Sequence, residues 1–254
     1  MKTPRQTEIL YGVHPVTEAL KADRRQIFEI HADTGKTGRR LDPLIRLAQH
    51  RRISVQPLSH QGLSALAGTD MHQGVAARVS LFPACDLSEI ILTRSSISDT
   101  SLYVLIDSVS DPHNLGALIR TALCVGVNGV IIPSDRSAGP TPTVSKTSAG
   151  ALEHIRLARV TNLVYAIKDL KNTNVWTFGL DAAGSESIYE CDFTGNMALV
   201  IGGEETGIRP LVKKSCDFLC RIPQMGPVSS LNASVAGAVA MYEAFRRRQE
   251  NRKL

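Results

Sequence analysis

No stretch of the chain stays apolar for the roughly 18 residues that a membrane-crossing helix needs, so no helical span is expected. The first ten residues, MKTPRQTEIL, lack the apolar core of a secretory signal, and the expectation is a cytoplasmic protein. Cysteine is sparse and odd in number: Cys85, Cys124, Cys191, Cys216 and Cys220 are scattered, which argues against a disulfide framework and for a reducing compartment. Cys216 and Cys220 are four apart but have no second pair and no histidine beside them, so no metal site is expected. There is no internal repeat and no low-complexity segment.

What remains is an ordinary globular composition with uneven charge. The chain has 254 residues, 43% hydrophobic and 21% charged, enough for one or two domains with a real core. Residues 1–82 carry 12 Lys/Arg against 7 Asp/Glu, whereas residues 83–254 carry 17 of each. From Arg246 onward five basic residues face one acidic residue. Basic surface is thus concentrated in the N-terminal third and the tail, a distribution suited to a polyanion such as nucleic acid.

The first 82 residues read as a small α/β unit. Helices are predicted at Val13–Leu20, Leu41–His50 and from His60 to Ala67, and strands at Ile27–His31, Ile53–Pro57 and Val75–Val79. Residues 83–97 read as a linker with a short helix at Leu87–Leu92. From residue 98 the pattern becomes near-continuous apolar runs separated by helices: Leu102–Asp107, Asn128–Ile132, Val175–Leu180, Met197–Gly202 and Phe218–Ile222. Such runs predict a parallel sheet covered on both faces.

Three segments carry the chemistry. In Asp107–Leu123, residues Leu115, Leu118, Ile119, Ala122 and Leu123 form one buried helical stripe. Asn114 and Arg120 fall off it, either toward a site at the strand's C-terminal end or as a helix cap and a surface arginine. Val200–Pro210, VIGGEETGIRP, is a glycine-rich loop leaving a buried strand. It lacks the Lys-Ser/Thr of a P-loop and comes too late in the chain for a dinucleotide fingerprint. Its Glu204 and Glu205 disfavour phosphate but can accept hydrogen bonds or pair with Arg120. Finally, Ile222–Phe245 runs from a strand end through a Pro/Gly turn to Ser229, Ser230 and Asn232, which can cap a helix of small residues. That helix admits another backbone or a ligand at close range.

Taken together, DPHNLGALIRTA at 111–122, LVIGGEETGIRP at 199–210 and IPQMGPVSSLNASVA at 222–236 resemble the signatures of the SpoU (TrmH-like) RNA ribose 2′-O-methyltransferases of the SPOUT class. YGVHPVTEAL at 11–20 and MHQGVAARV at 71–79 extend the similarity into the N-terminal third, toward the bacterial 23S ribosomal RNA guanosine-2′-O-methyltransferases. The resemblance implies an α/β fold: a knotted parallel-sheet domain at 98–254 with a deep trefoil knot, joined to an L30e-like RNA-binding domain at 1–82. It implies S-adenosylmethionine as cofactor, ribosomal RNA as substrate and a homodimer whose interface includes Asn232–Arg246.

By the same resemblance, Gly202, Ile222 and Leu231 bind the cofactor, with Thr177 and Gly179 of the strand-end segment adding wall contacts. Asn114, Arg120, Glu204, Ser230 and Asn232 form the catalytic set. Arg120 is the family's proposed activator of the ribose hydroxyl, yet a neutral arginine near pH 7 costs about 7 kcal/mol, which favours a role as phosphate or alkoxide stabiliser. A transfer RNA methyltransferase and a catalytically silent RNA-binding protein are the alternatives.

Overall fold

The computed structural model describes residues 6–33, 38–92, 100–227 and 230–251. The chain divides into two compact units, and the division is not a single cut: Met1–Pro83 with Pro140–His154 form one, Ala84–Gly139 with Ile155–Leu254 the other.

The first unit begins β1 (Thr7–Tyr11), α1 (Val13–Ala22), β2 (Ile27–Ala32), α2 (Gly38–His50), β3 (Val55–Pro57), α3 (His60–Ala67) and β4 (Val75–Ser80). Its sheet has the order β1-β4-β2-β3, with β4 antiparallel to both neighbours and β2 parallel to β3. Leu10, Val16, Leu20, Ile30, Leu41, Leu44 and Val79 close its core. β1, TEILY, is too short to stand out by periodicity and was not expected.

The second unit contributes α4 (Leu87–Leu92), β5 (Leu102–Asp107), α5 (Pro112–Cys124) and β6 (Gly129–Pro133). The chain then re-enters the first unit as α6 (Pro142–Thr147) and a 3-10 turn at Ala151–Glu153, a stretch that the sequence reading placed in the C-terminal domain. There Glu153 accepts from Arg25 Nη2 at 3.2 Å and from Ser145 Oγ at 2.7 Å, while Arg25, wholly buried, also pairs with Glu8 and lies over the Phe82 ring. Burial pushes the Glu8 carboxyl up despite this partner.

Returning to the second unit, the chain adds β7 (Leu157–Val160), α7 (Leu163–Lys171), β8 (Trp176–Leu180), β9 (Glu186–Ser187), β10 (Met197–Gly202), α8 (Pro210–Ser215), β11 (Phe218–Arg221) and α9 (Ala233–Asn251). The seven strands have the order β7-β6-β5-β10-β8-β11-β9 and every pairing is parallel. The five expected strands all form; the short β7 and β9 were missed. The stretch read as a linker is partly built in: Cys85 bridges to Ala158, and Ile90 of α4 is fully buried in the core with Tyr103 and Ile131. Residues 93–97 lie outside the described set.

The small-residue helix α9 has its close neighbours in α5 and β10. A Cβ on Gly237 would fall 2.3 Å from Leu118 Cδ2 and 2.8 Å from Ile201 Cδ1. Ala233, Gly237, Ala240, Met241 and Ala244 form its buried stripe. The tail arginines are engaged internally: Arg246 and Arg247 with Glu243, Arg248 with the carbonyls of Phe193, Ser101 and Gly195.

Candidate active site

Chain order and spatial order diverge in the middle of the second sheet. β10 is inserted between β5 and β8, so the loops leaving the C-terminal ends of β5 and β10 lie side by side. Parallel sheets bind ligands at such switch points. A cavity of about 390 Å³ opens there, within the range of small-molecule sites. Its walls are Leu180 at the end of β8 with Asp181 and Ala182 beyond it, Ile201 to Glu205 and Gly207 at the end of β10, Cys220 and Ile222 at the end of β11, and Ser230, Leu231, Ala233 and Ala236 at the start of α9.

The β10 loop folds on itself so tightly that glycine is required for internal reasons. A Cβ on Gly202 would sit 2.1 Å from the Gly207 carbonyl carbon, and one on Gly203 2.2 Å from Ser108 O. Gly207 N donates to Gly203 O at 3.0 Å and closes the loop. Beneath it, the buried carboxylate of Asp107 accepts from Arg209 N at 2.9 Å, Arg209 Nε at 2.7 Å and Ser108 Oγ at 3.1 Å. Asp107 and Arg209 were not singled out from sequence, although a carboxylate ending an all-apolar strand was the available signal.

Three of the five expected catalytic residues are joined. Asn114 Nδ2 donates to Glu204 Oε1, and Asn232 Nδ2 donates to Asn114 Oδ1 at 3.1 Å. Asn232 Oδ1 in turn accepts from Ser234 N at 2.9 Å and Val235 N at 3.4 Å, capping α9. Asn114 is not a cap, because Asp111 caps α5 by accepting from His113 N. Of the two adjacent acids, Glu204 is the one bonded to this chain; Glu205 lines the same cavity. Ser230 lines it too, while Ser229 lies outside the described residues. Arg120 is exposed on α5, six residues past Asn114, and makes no hydrogen bond or ion pair among the described residues.

Of the expected cofactor residues, Gly202, Ile222 and Leu231 line the cavity. Thr177 and Gly179 do not. Thr177 is fully buried and its amide and hydroxyl both donate to Asp217 Oδ2, at 2.9 and 2.7 Å. Gly179 is packed among Leu219, Cys216 and Ile208. The wall from this strand starts one step further on, at Leu180, and continues to Asp181 and Ala182. Burial pushes the Asp181 carboxyl up, but Lys213, at 2.6 Å, and the Ala183 amide outweigh it and hold it below its ordinary value. Asp181, Glu204 and Glu205 make the cavity acidic, which complements a cationic sulfonium. Apolar Ile201, Ile222 and Leu231 can enclose a purine, so these residues fit S-adenosylmethionine.

The cysteines do no chemistry in this site. Burial pushes the Cys216 thiol up to about 12 and raises Cys191 and Cys220 as well, leaving them protonated. In the first unit the ligating atoms of His60, Asp70 and His72 lie within 4.8 Å of one another. His72 Nδ1 accepts from Gly74 N at 3.0 Å, so its proton lies on Nε2, facing Ser64 Oγ at 3.2 Å. Both ring nitrogens of His72 are thus engaged by hydrogen bonds within the first unit.

Comparison with known proteins agrees with this geometry. Residues 101–242 match the SpoU rRNA Methylase family, and residues 9–84 match the family described as RNA 2'-O ribose methyltransferase substrate binding. The 23S rRNA (guanosine-2'-O-)-methyltransferase RlmB of Vibrio cholerae is 40% identical over 246 residues, covering 96% of this chain and 99% of the relative. That of Ralstonia nicotianae is 38% identical over 244 residues, covering 96% and 97%. Among solved structures, the SpoU methyltransferase AviRb from Streptomyces viridochromogenes, in complex with AdoMet, superposes with a TM-score of 0.79 at 26% identity, covering 96% of this chain and 91% of that one.

Proposed function

Given that the chain belongs to the SpoU rRNA Methylase family and is an S-adenosylmethionine-dependent RNA 2′-O-ribose methyltransferase, we propose that its substrate is a guanosine of 23S ribosomal RNA. The relatives that share the whole chain at 38–40% identity carry that name, and the match to a substrate-binding family over 9–84 supplies an RNA-gripping unit. A cytoplasmic enzyme with this substrate fits the five free cysteines.

The observation that carries the reading is the chain Glu204–Asn114–Asn232, which reaches the cavity wall at Glu204. Bound S-adenosylmethionine supplies an electrophilic methyl group. Glu204 fixes the amide of Asn114, and Asn232, locked by its own capping bonds, fixes the other end of that amide. Asn114 therefore presents an oriented polar group to the incoming ribose. Ser230, on the cavity wall, holds the 2′-hydroxyl or its neighbouring phosphate. Arg120, permanently protonated, grips the phosphate and stabilises the developing alkoxide. The proton leaves by another route, and the Glu204 carboxylate is the acceptor within this set. Ile222, Leu231 and the backbone of Gly202 hold the cofactor's adenosine.

The second unit threads its C-terminal part as the deep trefoil knot of the SPOUT class, and α9 pairs with the same helix of a second copy. Exposed Val235 and Tyr242 on α9 support that pairing, together with an open cavity of about 650 Å³ that Tyr189 forms with Tyr242 and Phe245.

Incubation with labelled S-adenosylmethionine and 23S ribosomal RNA, followed by digestion to nucleosides, is expected to yield 2′-O-methylguanosine. Label on a base, or transfer to transfer RNA alone, rejects the assignment.

A further inference from the structure

Among the described residues, Lys146 is a cation without an anion. It sits on α6 within the first unit, and its ammonium is lodged against Gly12: a Cβ there would fall 2.5 Å from Lys146 Nζ and 3.1 Å from its Cδ. Gly12 adopts φ 96°, a conformation that glycine tolerates, so the lysine lies across bare backbone. No hydrogen bond or ion pair from the ammonium occurs among the described residues. A second cation, Arg40 on α2, repels it and is exposed and likewise unpaired among the described residues. Burial, then repulsion from Arg40, pulls the Lys146 ammonium below its ordinary value. Among the described residues no carboxylate counters this.

Holding two cations near one another, one of them partly desolvated, is unfavourable unless an anion completes the set. Arg25, a fully buried cation of this unit, shows the contrast: it is flanked by Glu8 and Glu153. We propose that Lys146 and Arg40 form a phosphate-binding subsite of the first unit, occupied by the backbone of the RNA substrate. The inference rests on the reading of this protein as an RNA methyltransferase and adds where the RNA is held. A compact ammonium suits a single phosphate oxygen, and the missing side chain at Gly12 is what lets the lysine lie against the backbone there. Residues 1–82 carry a net charge of +5, which favours a polyanion over a lone metabolite. The lysine comes from residues 140–154, so a segment within the match to the methylase family equips the RNA unit.

The test is equilibrium binding of the full-length protein to a single-stranded fragment of 23S ribosomal RNA across a salt series. Lys146→Gln is expected to flatten the dependence of log K on log salt by about 0.7, the value of one phosphate contact. Lys146→Arg is expected to keep the wild-type slope, and both variants to keep the melting temperature and the affinity for S-adenosylmethionine. A wild-type slope in Lys146→Gln overturns the subsite, as does an equal loss in the Arg variant, which marks a packing role. Inorganic phosphate is the control: if it shifts the Lys146 Nζ resonance at millimolar concentration as far as RNA does, the site takes free phosphate and the RNA assignment falls. A wild-type protein that binds no RNA overturns the functional reading itself, an outcome distinct from the others.

Discussion

Asp107 carries a prediction that can be worked through. Its carboxylate is fully buried at the end of β5, and it fastens the loop that walls the cavity by two bonds to Arg209 and one from Ser108. Asp107→Ala removes a charge-assisted bond of about 1.5–3 kcal/mol to the guanidinium and leaves the Arg209 amide unsatisfied at about 1–3 kcal/mol. The Arg209 side chain is 34% exposed and turns to water, so the first figure belongs at its low end. The sum, roughly 3 kcal/mol, lies at the lower edge of the values for breaking a buried pair. In a protein of this size that corresponds to a fall in melting temperature of about 6–12 °C. Because the fastened segment is Gly203–Arg209, affinity for S-adenosylmethionine should fall at least tenfold, read by calorimetry well below the transition. Asp107→Asn should show most of the same loss without a cavity, since its amide NH2 faces donors. Wild-type affinity and melting temperature in both variants would refute the idea that Asp107 holds the loop.

Arg120→Ala should abolish methyl transfer with cofactor affinity intact, and Arg120→Lys should retain measurable transfer, because a stabilising cation is conserved; a lysine variant as dead as alanine counts against charge stabilisation. Gly202→Ala drives a Cβ into the Gly207 backbone, which cannot yield as a side-chain tip can, so cofactor affinity should drop by a factor of ten or more in the same calorimetric assay. For Asp217, burial pushes the carboxyl up, but the bonds from Lys171 and Thr177 outweigh it and hold it below its ordinary value. Its stabilisation is therefore complete above the ordinary value of 3.8 and is lost as pH falls below it. Asp217→Asn should flatten the acid limb of a melting-temperature profile between about pH 4 and pH 2, and an unchanged limb contradicts the linkage.

Much of the architecture was legible because it is written in periodicity. The five long strands of the second sheet are continuous apolar runs, and α5 buries Leu115, Leu118, Ile119 and Ala122 of the expected stripe but leaves Leu123, at its C-terminal end, exposed. β7 and β9 were not legible: LARV has an exposed Arg159 hydrogen-bonded to Ser134 O, and a two-residue strand has no pattern at all. In the site, the motifs that singled out Asn114, Glu204 and Asn232 point to side chains that hydrogen bonds join in the structure. Thr177 and Gly179 sit inside β8 away from the cavity, whose lining from this strand starts at its last residue, Leu180, and continues beyond its end. Asp181 sits there. Nor does sequence spacing say on which body a short helix packs, and α6 went unassigned to the first unit for that reason.

The discontinuity of the first unit has a consequence for how the chain is made. During vectorial synthesis β4 emerges complete at Ser80, yet Glu153, one of the two carboxylates that neutralise buried Arg25, follows roughly seventy residues later. At about 5–20 residues per second, that is an interval of several seconds in which the nascent unit lacks part of its interior. During it β5 and β6 appear without the strands that will cover their far side. The two bodies must therefore mature together rather than in succession. A fragment ending at residue 82, although it matches the span of the sequence signature, would leave the ribosome with Arg25 short of a counter-charge.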